Sequence, residues 1–325
     1  MRVAVVGLGV ISKSHILALQ ELGEEIVALC DTDTKKAEAA KETYGLTCPV
    51  FEDYLTMLDE IKPDSVHICT PHYLHADMIV EALSRNIHTL CEKPLCIRKE
   101  DIPRILEAEQ NSKAKLGVSH QNRYNPTNLY VKKLLAEHPL KGAHGEVVWK
   151  RDEKYYNSAD WRGKWETEGG GVMINQALHT LDLLQWFAGF PEALTANIST
   201  LRRGDVIEVE DTAVSFFEGK VPFDIFATVA SDNDHSVCLR LRTEDGMKLT
   251  VLPHMVATET EVLFSEQPQP TNNKACYGNG HRPLFEDFYT CVREDRPFQL
   301  NGEEASKVIR LILGMYESQG NKLTL

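Results

Sequence analysis

The sequence predicts an α/β protein in two parts. A doubly wound parallel sheet is expected over residues 1–121, and an α+β part with a large, mainly antiparallel sheet over 122–325. Three observations lead there. The first part alternates short apolar runs with helical patterns, as repeated βαβ units do. Its first apolar run ends in a glycine turn that opens directly into a helix. Beyond about residue 121 the alternation gives way to strands in series joined by short turns, which form antiparallel sheets.

The elements follow in order. Strands are expected at 2–6, 26–30, 65–69, 87–91 and 115–119, and helices at 13–22, 34–43, 52–60, 75–84 and 101–111. The run Asp64–Cys69 is almost continuously apolar, which suits a strand buried on both faces. Thr70-Pro71 ends it at the carboxyl edge, where such sheets bind ligands. In the second part a helix is expected at 127–137, an extended segment at 145–156 and a loop at 158–172. One apolar helix then runs from Met173 to Phe187. Five strand patterns occupy 192–264, with Asp245-Gly246 as a tight hairpin turn, and helices close the chain at 282–294 and 302–318.

Composition narrows the class. A chain of 325 residues, 42% hydrophobic and 26% charged, suits two soluble domains with sizeable cores. Its net charge of −13 argues against a nucleic-acid or anionic-membrane partner. No apolar stretch is long enough to span a bilayer. The first strand begins at Arg2 with no signal peptide before it, and the 8 cysteines are scattered, several inside apolar runs. Cys91 and Cys96 lack the CxxC spacing of a zinc site, so no metal is expected. These features imply a cytoplasmic protein.

The glycine turn carries the first chemistry. Gly7-Leu8-Gly9-Val10-Ile11-Ser12 lies between a β-branched run and a helical pattern, the context in which a dinucleotide fingerprint has meaning. Gly7 permits the tight turn, and Gly9 lets backbone N–H groups approach a pyrophosphate at the helix N-terminus, with Val10 and Ile11 beside it. Ser12 stands where Gly or Ala is usual, so strand and helix must pack around a hydroxymethyl group. Roughly 20 residues on, the second apolar run ends at Asp31, whose carboxylate suits both ribose hydroxyls of NAD and repels the 2′-phosphate of NADP. NAD is therefore the expected cofactor.

Other motifs mark candidate chemistry. Lys93, after the strand ending at Cys91, projects from the ligand edge and can hydrogen-bond a substrate hydroxyl or relay its proton. Asn175, His179 and Asp182 are spaced i, i+4 and i+7, so a single helix would set them on one face. His179 is the natural general base of that stripe. Trp161 and Arg162 sit on the Gly-rich loop, suited to a stacking platform and a hydroxyl or carboxylate clamp; Tyr155 and Tyr156 either join it or fill the core. Gln121 and Arg123 follow the strand at 115–119 and are candidates for the carboxamide or the substrate. His281, after Gly280, is a candidate for reaching the substrate from the C-terminal segment.

Taken together, the opening VVGLGVISKSH, TPHYLH at 70–75, CEKPL at 91–95, HQNRYNP at 120–126, WRGKW at 161–165, EGGGVMINQALHTLDLLQW at 168–186 and GHRPLFEDF at 280–288 resemble the glucose–fructose oxidoreductase / inositol dehydrogenase (Gfo/Idh/MocA) family over nearly the whole chain. The resemblance implies an NAD(P)-dependent oxidoreductase moving a hydride between a secondary hydroxyl of a sugar, sugar derivative or cyclic polyol and the nicotinamide. It implies Lys93, His179 and Asn175 in catalysis, and Glu92 near the nicotinamide ribose with Pro94 stiffening the turn. Thr70, Pro71 and His75 belong to the cofactor side, together with Gln121, Trp161 and Arg162. Arg123, Tyr155 and His281 join the catalytic residues around the substrate. Two alternatives remain open: an NAD-recycling lyase or glycosidase acting through transient oxidation, and a non-catalytic sugar or dinucleotide sensor. Asn175 departs from the Asp usual in the better-known sugar and polyol enzymes and loses the charge that would raise a neighbouring imidazole's pKa. Apolar residues on both faces of the antiparallel strands imply a homodimer or homotetramer formed through that sheet.

Overall fold

A computed structural model of the protein describes residues 1–267 and 280–325. These fall into two compact units. The first holds Met1–Gln121 together with Gly280–Ser306, and the second holds Asn122–Asn279 with Lys307–Leu325. The segment 280–306, expected in the second half, thus belongs to the first. Its ties explain why. The Val118 N–H donates to the carbonyl of Leu300 at 3.0 Å, the Gly302 N–H donates to Glu109 Oε2 at 3.1 Å, and Leu284, Phe285 and Phe288 are completely buried.

Within the first unit six parallel strands are ordered β3-β2-β1-β4-β5-β6. They are β1 (Arg2–Val6), β2 (Glu25–Cys30), β3 (Val50–Phe51), β4 (Ser65–Ile68), β5 (His88–Cys91) and β6 (Leu116–Val118). The connecting helices are α1 (Ser12–Glu21), α2 (Thr34–Thr43), α3 (Tyr54–Ile61), α4 (His75–Ser84) and α5 (Asp101–Asn111). Five strands were legible; β3, of two residues, is too short to show a period. All four residues of β4 are buried, the polar Ser65 and His67 included, as in a strand covered on both faces. Asp33 and Asp53 cap α2 and α3 by accepting from the N–H groups of Lys35 and Thr56. Strand order reverses between β1 and β4, which opens a crevice at their carboxyl ends.

The second unit is built on nine strands, ordered β14-β13-β12-β11-β7-β10-β9-β8-β15. It begins with α6 (Pro126–Glu137), β7 (Leu140–Val148) and the short helices α7 (Glu153–Tyr156) and α8 (Val172–Asn175). Then come α9 (Leu178–Ala188), β8 (Ala193–Ser199), β9 (Thr212–Glu218), β10 (Phe223–Thr228), β11 (Cys238–Thr243) and β12 (Lys248–Leu252). The strands β13 (Met255–Ala257), β14 (Val262–Ser265) and β15 (Leu323–Thr324) complete it. Every neighbouring pair is antiparallel except β7 and β10. Burial alternates residue by residue along β10, so one face of this sheet is covered and the other is open.

Two local expectations need correcting. The extended segment stops at Val148, because the Asp152 carboxylate accepts the Tyr155 N–H at 3.1 Å and starts α7. The single helix from Met173 is broken in two. The Ala177 N–H bonds the carbonyl of Val172 at 2.8 Å, five residues back, and the regular ladder resumes only with Leu181 bonding Ala177. Asn175 therefore closes α8 while His179 and Asp182 lie on α9, and the shared stripe does not exist.

Gly7 shows how tightly the crevice is drawn. Its φ is +82°, and a Cβ there would stand 2.7 Å from the carbonyl carbon and oxygen of Cys69, backbone atoms that cannot yield. Gly7→Ala is expected to cost about 2–5 kcal/mol. A urea midpoint unchanged from the parent would contradict this.

Candidate active site

The crevice of the first unit is lined by the turns after β1, β4 and β5. Asp31, at the end of β2, braces the glycine turn: its Oδ2 accepts the Leu8 N–H at 2.7 Å and its Oδ1 accepts the Asp33 N–H at 2.9 Å. Each carboxylate oxygen keeps a further lone pair for ribose hydroxyls. The Ser12 hydroxyl folds back onto the Gly9 carbonyl at 2.7 Å, which is how the turn accommodates a side chain there. A Cβ on Gly9 would meet no protein atom within 4 Å, so packing does not demand glycine at that position, whereas close approach of a pyrophosphate does. The residue at the α1 N-cap, Ile11, offers no side-chain acceptor, and neighbouring Val10 is 89% exposed. The residues present fit a dinucleotide.

His75 stitches the other two turns together, with Nδ1 2.6 Å from the Pro94 carbonyl and Nε2 2.9 Å from the Thr70 carbonyl. Thr70 and Pro71 flank that bond, and the Lys93–Pro94 peptide is cis. Lys93 itself is half-buried. Glu92 turns inward. Its Oε1 lies 3.0 Å from Nε2 of His15 and 3.5 Å from Nε2 of His281, while Oε2 accepts the Lys93 N–H at 3.3 Å. Glu92 thus holds the Lys93 turn from beneath. His281, expected at the substrate, sits in this buried group of the first unit.

The group extends further. His15 Nδ1 lies 2.8 Å from His67 Nδ1, and His67 Nε2 lies 2.7 Å from the Tyr289 hydroxyl. Burial and neighbouring histidines hold His15 and His67 below the ordinary imidazole range, so both are neutral at pH 7. Burial pushes the Glu92 carboxyl up, but the bonds from His15 and His281 outweigh it and hold it well below the usual carboxylate range. An ionised Glu92 fixes the proton order: His15 donates from Nε2, accepts at Nδ1 from His67, and His67 accepts from Tyr289.

In the second unit the Tyr155 hydroxyl is the meeting point. It accepts from Asn175 Nδ2 at 3.2 Å, from Gln176 Nε2 at 3.0 Å and from Arg162 Nη1. Asn175 Nδ2 also donates to Oε1 of Glu168, whose Oε2 takes the Gly163 N–H. A carboxylate only accepts, so the amide nitrogen of Asn175 must face it and the carboxamide oxygen points elsewhere. Gly171 lets the start of α8 lie against the backbone of Glu210, since a Cβ there would lie 1.8 Å from the Glu210 carbonyl oxygen. The Arg162 guanidinium stacks 4.4 Å from the Tyr155 ring centroid and 4.6 Å from that of Trp161. Tyr156 departs from this group into a small core with Ile207 and Val209. His179 is buried in the first turn of α9.

Arg123 is redirected. Its Nε and Nη2 bond both oxygens of Asp182, at 2.8 and 2.6 Å, in a pair buried on both sides. A fork held by a carboxylate serves the fold, and Asp182 leaves the candidate stripe with it. Gln121 is buried at the start of a short turn, Gln121–Tyr124. Sequence reasoning missed Glu168 and Gln176 as site residues, although both lie inside the glycine-rich motif: EGGG supplies the carboxylate and NQ the paired amides.

Known proteins agree with this pairing of a dinucleotide-type α/β unit and an open-faced α+β unit. Residues 1–120 match the oxidoreductase family GFO/IDH/MocA, NAD-binding Rossmann fold, and residues 139–264 match the GFO/IDH/MocA C-terminal domain. The chain belongs to the GFO/IDH/MocA family. Inositol 2-dehydrogenase of Salmonella typhimurium is 26% identical over 66% of this chain and 64% of its own length, so the match spans a little under two thirds of that relative. D-glucoside 3-dehydrogenase of Escherichia coli is 28% identical over 98% of this chain and 95% of its own. Among solved structures, the WlbA dehydrogenase of Bordetella pertussis in complex with NADH and UDP-GlcNAcA is 29% identical with a TM-score of 0.85, covering 100% of this chain and 98% of that one.

Two expectations follow. Asp182→Asn should destabilise the protein by about 3–5 kcal/mol, because it leaves the Arg123 guanidinium buried without its counter-charge. Unaltered stability with a weakened substrate KM would return Arg123 to the substrate. For His15 and His67, the folded pKa lies below the unfolded one, so the unfolded chain takes up protons that the folded one refuses. Stability is complete above about 6.5 and falls as the pH drops below it, and Glu92 adds a further loss below about 4.5. Thermal unfolding from pH 7.5 to 5 should show that slope, and His67→Gln should flatten it; equal slopes would contradict the assignment.

Proposed function

We propose that the protein is an NAD-dependent oxidoreductase that oxidises a secondary hydroxyl of a sugar, sugar derivative or cyclic polyol, or runs in reverse. The observation that carries this reading is the fit of the glycine turn, braced by Asp31, to a dinucleotide, with Lys93 on the same edge of the sheet. A bound nicotinamide supplies the hydride acceptor. The chain's own residues handle the rest. Lys93 hydrogen-bonds the reacting hydroxyl and favours its alkoxide character, and His179 takes the proton as general base. Asn175, oriented by its bonds to Glu168 and Tyr155, hydrogen-bonds the substrate. The relatives named above act on inositol and glucosides, which supports a polyhydroxylated substrate.

Asp31 and the absence of Lys or Arg at Thr32, Asp33 and Thr34 favour NAD over NADP. The open sheet face presents Phe216, 59% exposed, near half-buried Val214 and Phe226, and this apolar face pairs with that of a second copy in a homodimer or homotetramer. The described cysteines are free and buried, which supports the reading of a cytoplasmic protein.

Lys93→Ala and His179→Ala should each lower turnover roughly 10²–10⁴-fold while NADH still binds. A variant retaining more than about a third of parental turnover would remove that residue from the mechanism. Calorimetric titration should return at least about tenfold tighter binding of NAD than of NADP, about 1.4 kcal/mol. Equal affinities would exclude the role given to Asp31.

A further inference from the structure

The helix α8 is a single turn and carries Asn175 as its last residue. A helix that short does not hold itself in water, and its first N–H groups have no partner within it. Its N-cap, Gly171, offers no side-chain acceptor. Glu210, just ahead of β9, supplies what is missing. Its Oε2 accepts the Gly171 N–H at 2.8 Å, its backbone carbonyl accepts the Val172 N–H at 3.1 Å, and its Oε1 accepts the Met173 N–H at 3.0 Å. Consecutive donors thus end on one residue. The grip passes directly to the site, because the Asn175 N–H bonds the Gly171 carbonyl at 3.2 Å and the Gln176 N–H bonds that of Val172 at 3.1 Å.

Glu210 is buried, and it forms no ion pair among the described residues. The Tyr316 hydroxyl donates to its Oε1 at 3.1 Å. Gly170 admits that hydroxyl, since a Cβ there would stand 2.0 Å from it. Tyr316 keeps its proton, because burial and the Glu210 and Glu168 carboxyls push it well above the ordinary phenol range. The titratable groups around Glu210 are Tyr316, Tyr156, Glu168 and the adjacent Asp211, and none of these brings a positive charge. Burial pushes the Glu210 carboxyl up to about 7, against the pull of the Met173 and Gly171 N–H groups and of Tyr316. A carboxylate accepts at both oxygens, whereas a carboxylic acid turns one of them into a donor facing a donor. The hold on α8 therefore belongs to the ionised form.

We propose that Glu210 is a positioning residue of the reaction, which by holding residues 171–173 sets Asn175 and Gln176 where the substrate meets them. This deepens the oxidoreductase reading and rests on it. Protonation of Glu210 releases the start of α8, so the site assembles as the pH rises and comes apart as it falls.

The test follows kcat/KM for NAD reduction by the full-length protein from pH 5 to 9, with the faster of myo-inositol and methyl glucoside. His179 as base and Glu210 as the holder of α8 must both be deprotonated, so log kcat/KM should fall with a slope of about two on the acid side. Glu210→Gln does not titrate and sets an amide nitrogen against an N–H. Its slope should drop to about one, and its kcat/KM above pH 8 should fall roughly 10²-fold. NADH should still bind it, which reports that the variant is folded. Tyr316→Phe is the second handle: it removes a donor that favours the ionised form, so one limb should move to higher pH. A glutamate with a purely structural role would move stability and leave slope and limb in place. Nitrogen-isotope labelling of asparagine reads the same event without turnover. The Asn175 side-chain signals should shift with a midpoint at about 7, and in Glu210→Gln that shift should vanish. A parental slope of about one, an unmoved limb in Tyr316→Phe, or Asn175 signals flat across neutral pH would overturn the role of Glu210 and leave the oxidoreductase reading standing. Asn175 signals that follow Glu210, with neither compound oxidised, would sustain the role and sink the oxidoreductase reading.

Discussion

Taking a carboxylate out of water costs several kcal/mol unless hydrogen bonds replace its hydration. Glu92 meets that demand with imidazoles, and the layout of the first unit follows from it. His15 comes from α1, the helix that the glycine turn opens. His281 comes from the C-terminal segment, and the Lys93 N–H comes from the turn after β5. His67 on β4 and Tyr289 continue the chain of bonds across the sheet. One buried charge thereby locks the dinucleotide turn, the Lys93 turn and a distant helix to a common reference. Replacing any one donor would leave the others facing an uncompensated anion.

The second unit solves a different problem. Its site residues lie on short, irregular elements, so their precision comes from side chains holding side chains. Tyr155 is gripped by three donors, and Asn175 is oriented by Glu168. In this chain the carboxyl group that an Asp at 175 would supply is found instead on Glu168, one hydrogen bond back from the carboxamide.

Much of this was legible in the sequence, for identifiable reasons. The βαβ alternation is long and strongly periodic, and the glycine turn, Asp31 and Lys93 have meaning at fixed offsets from strand ends. The antiparallel strands announced themselves by their turns. What failed depended on contacts distant in sequence. The period of Met173–Phe187 is helical throughout, and its break is accompanied by the anchoring of Asn175 and Gln176 by Tyr155 and Glu168 and of the Met173 N–H by Glu210. Arg123 read as a free cation because Asp182 is 59 residues away. The inward turn of Glu92 depends on His281, which no local pattern connects to it.

The placement of 280–306 bears on how the molecule is made. The first unit is discontinuous, so a ribosome that has finished residues 1–121 has made its entire parallel sheet but not its missing face. Until the helix His281–Arg293 emerges, the nascent sheet lacks Phe285 and Phe288, and Glu92 lacks one of its imidazoles. Contacts of such sequence separation close late and slow folding. The dinucleotide half therefore waits, incomplete, while β7 to β14 of the second sheet are synthesised, and the order of synthesis is not the order of completion.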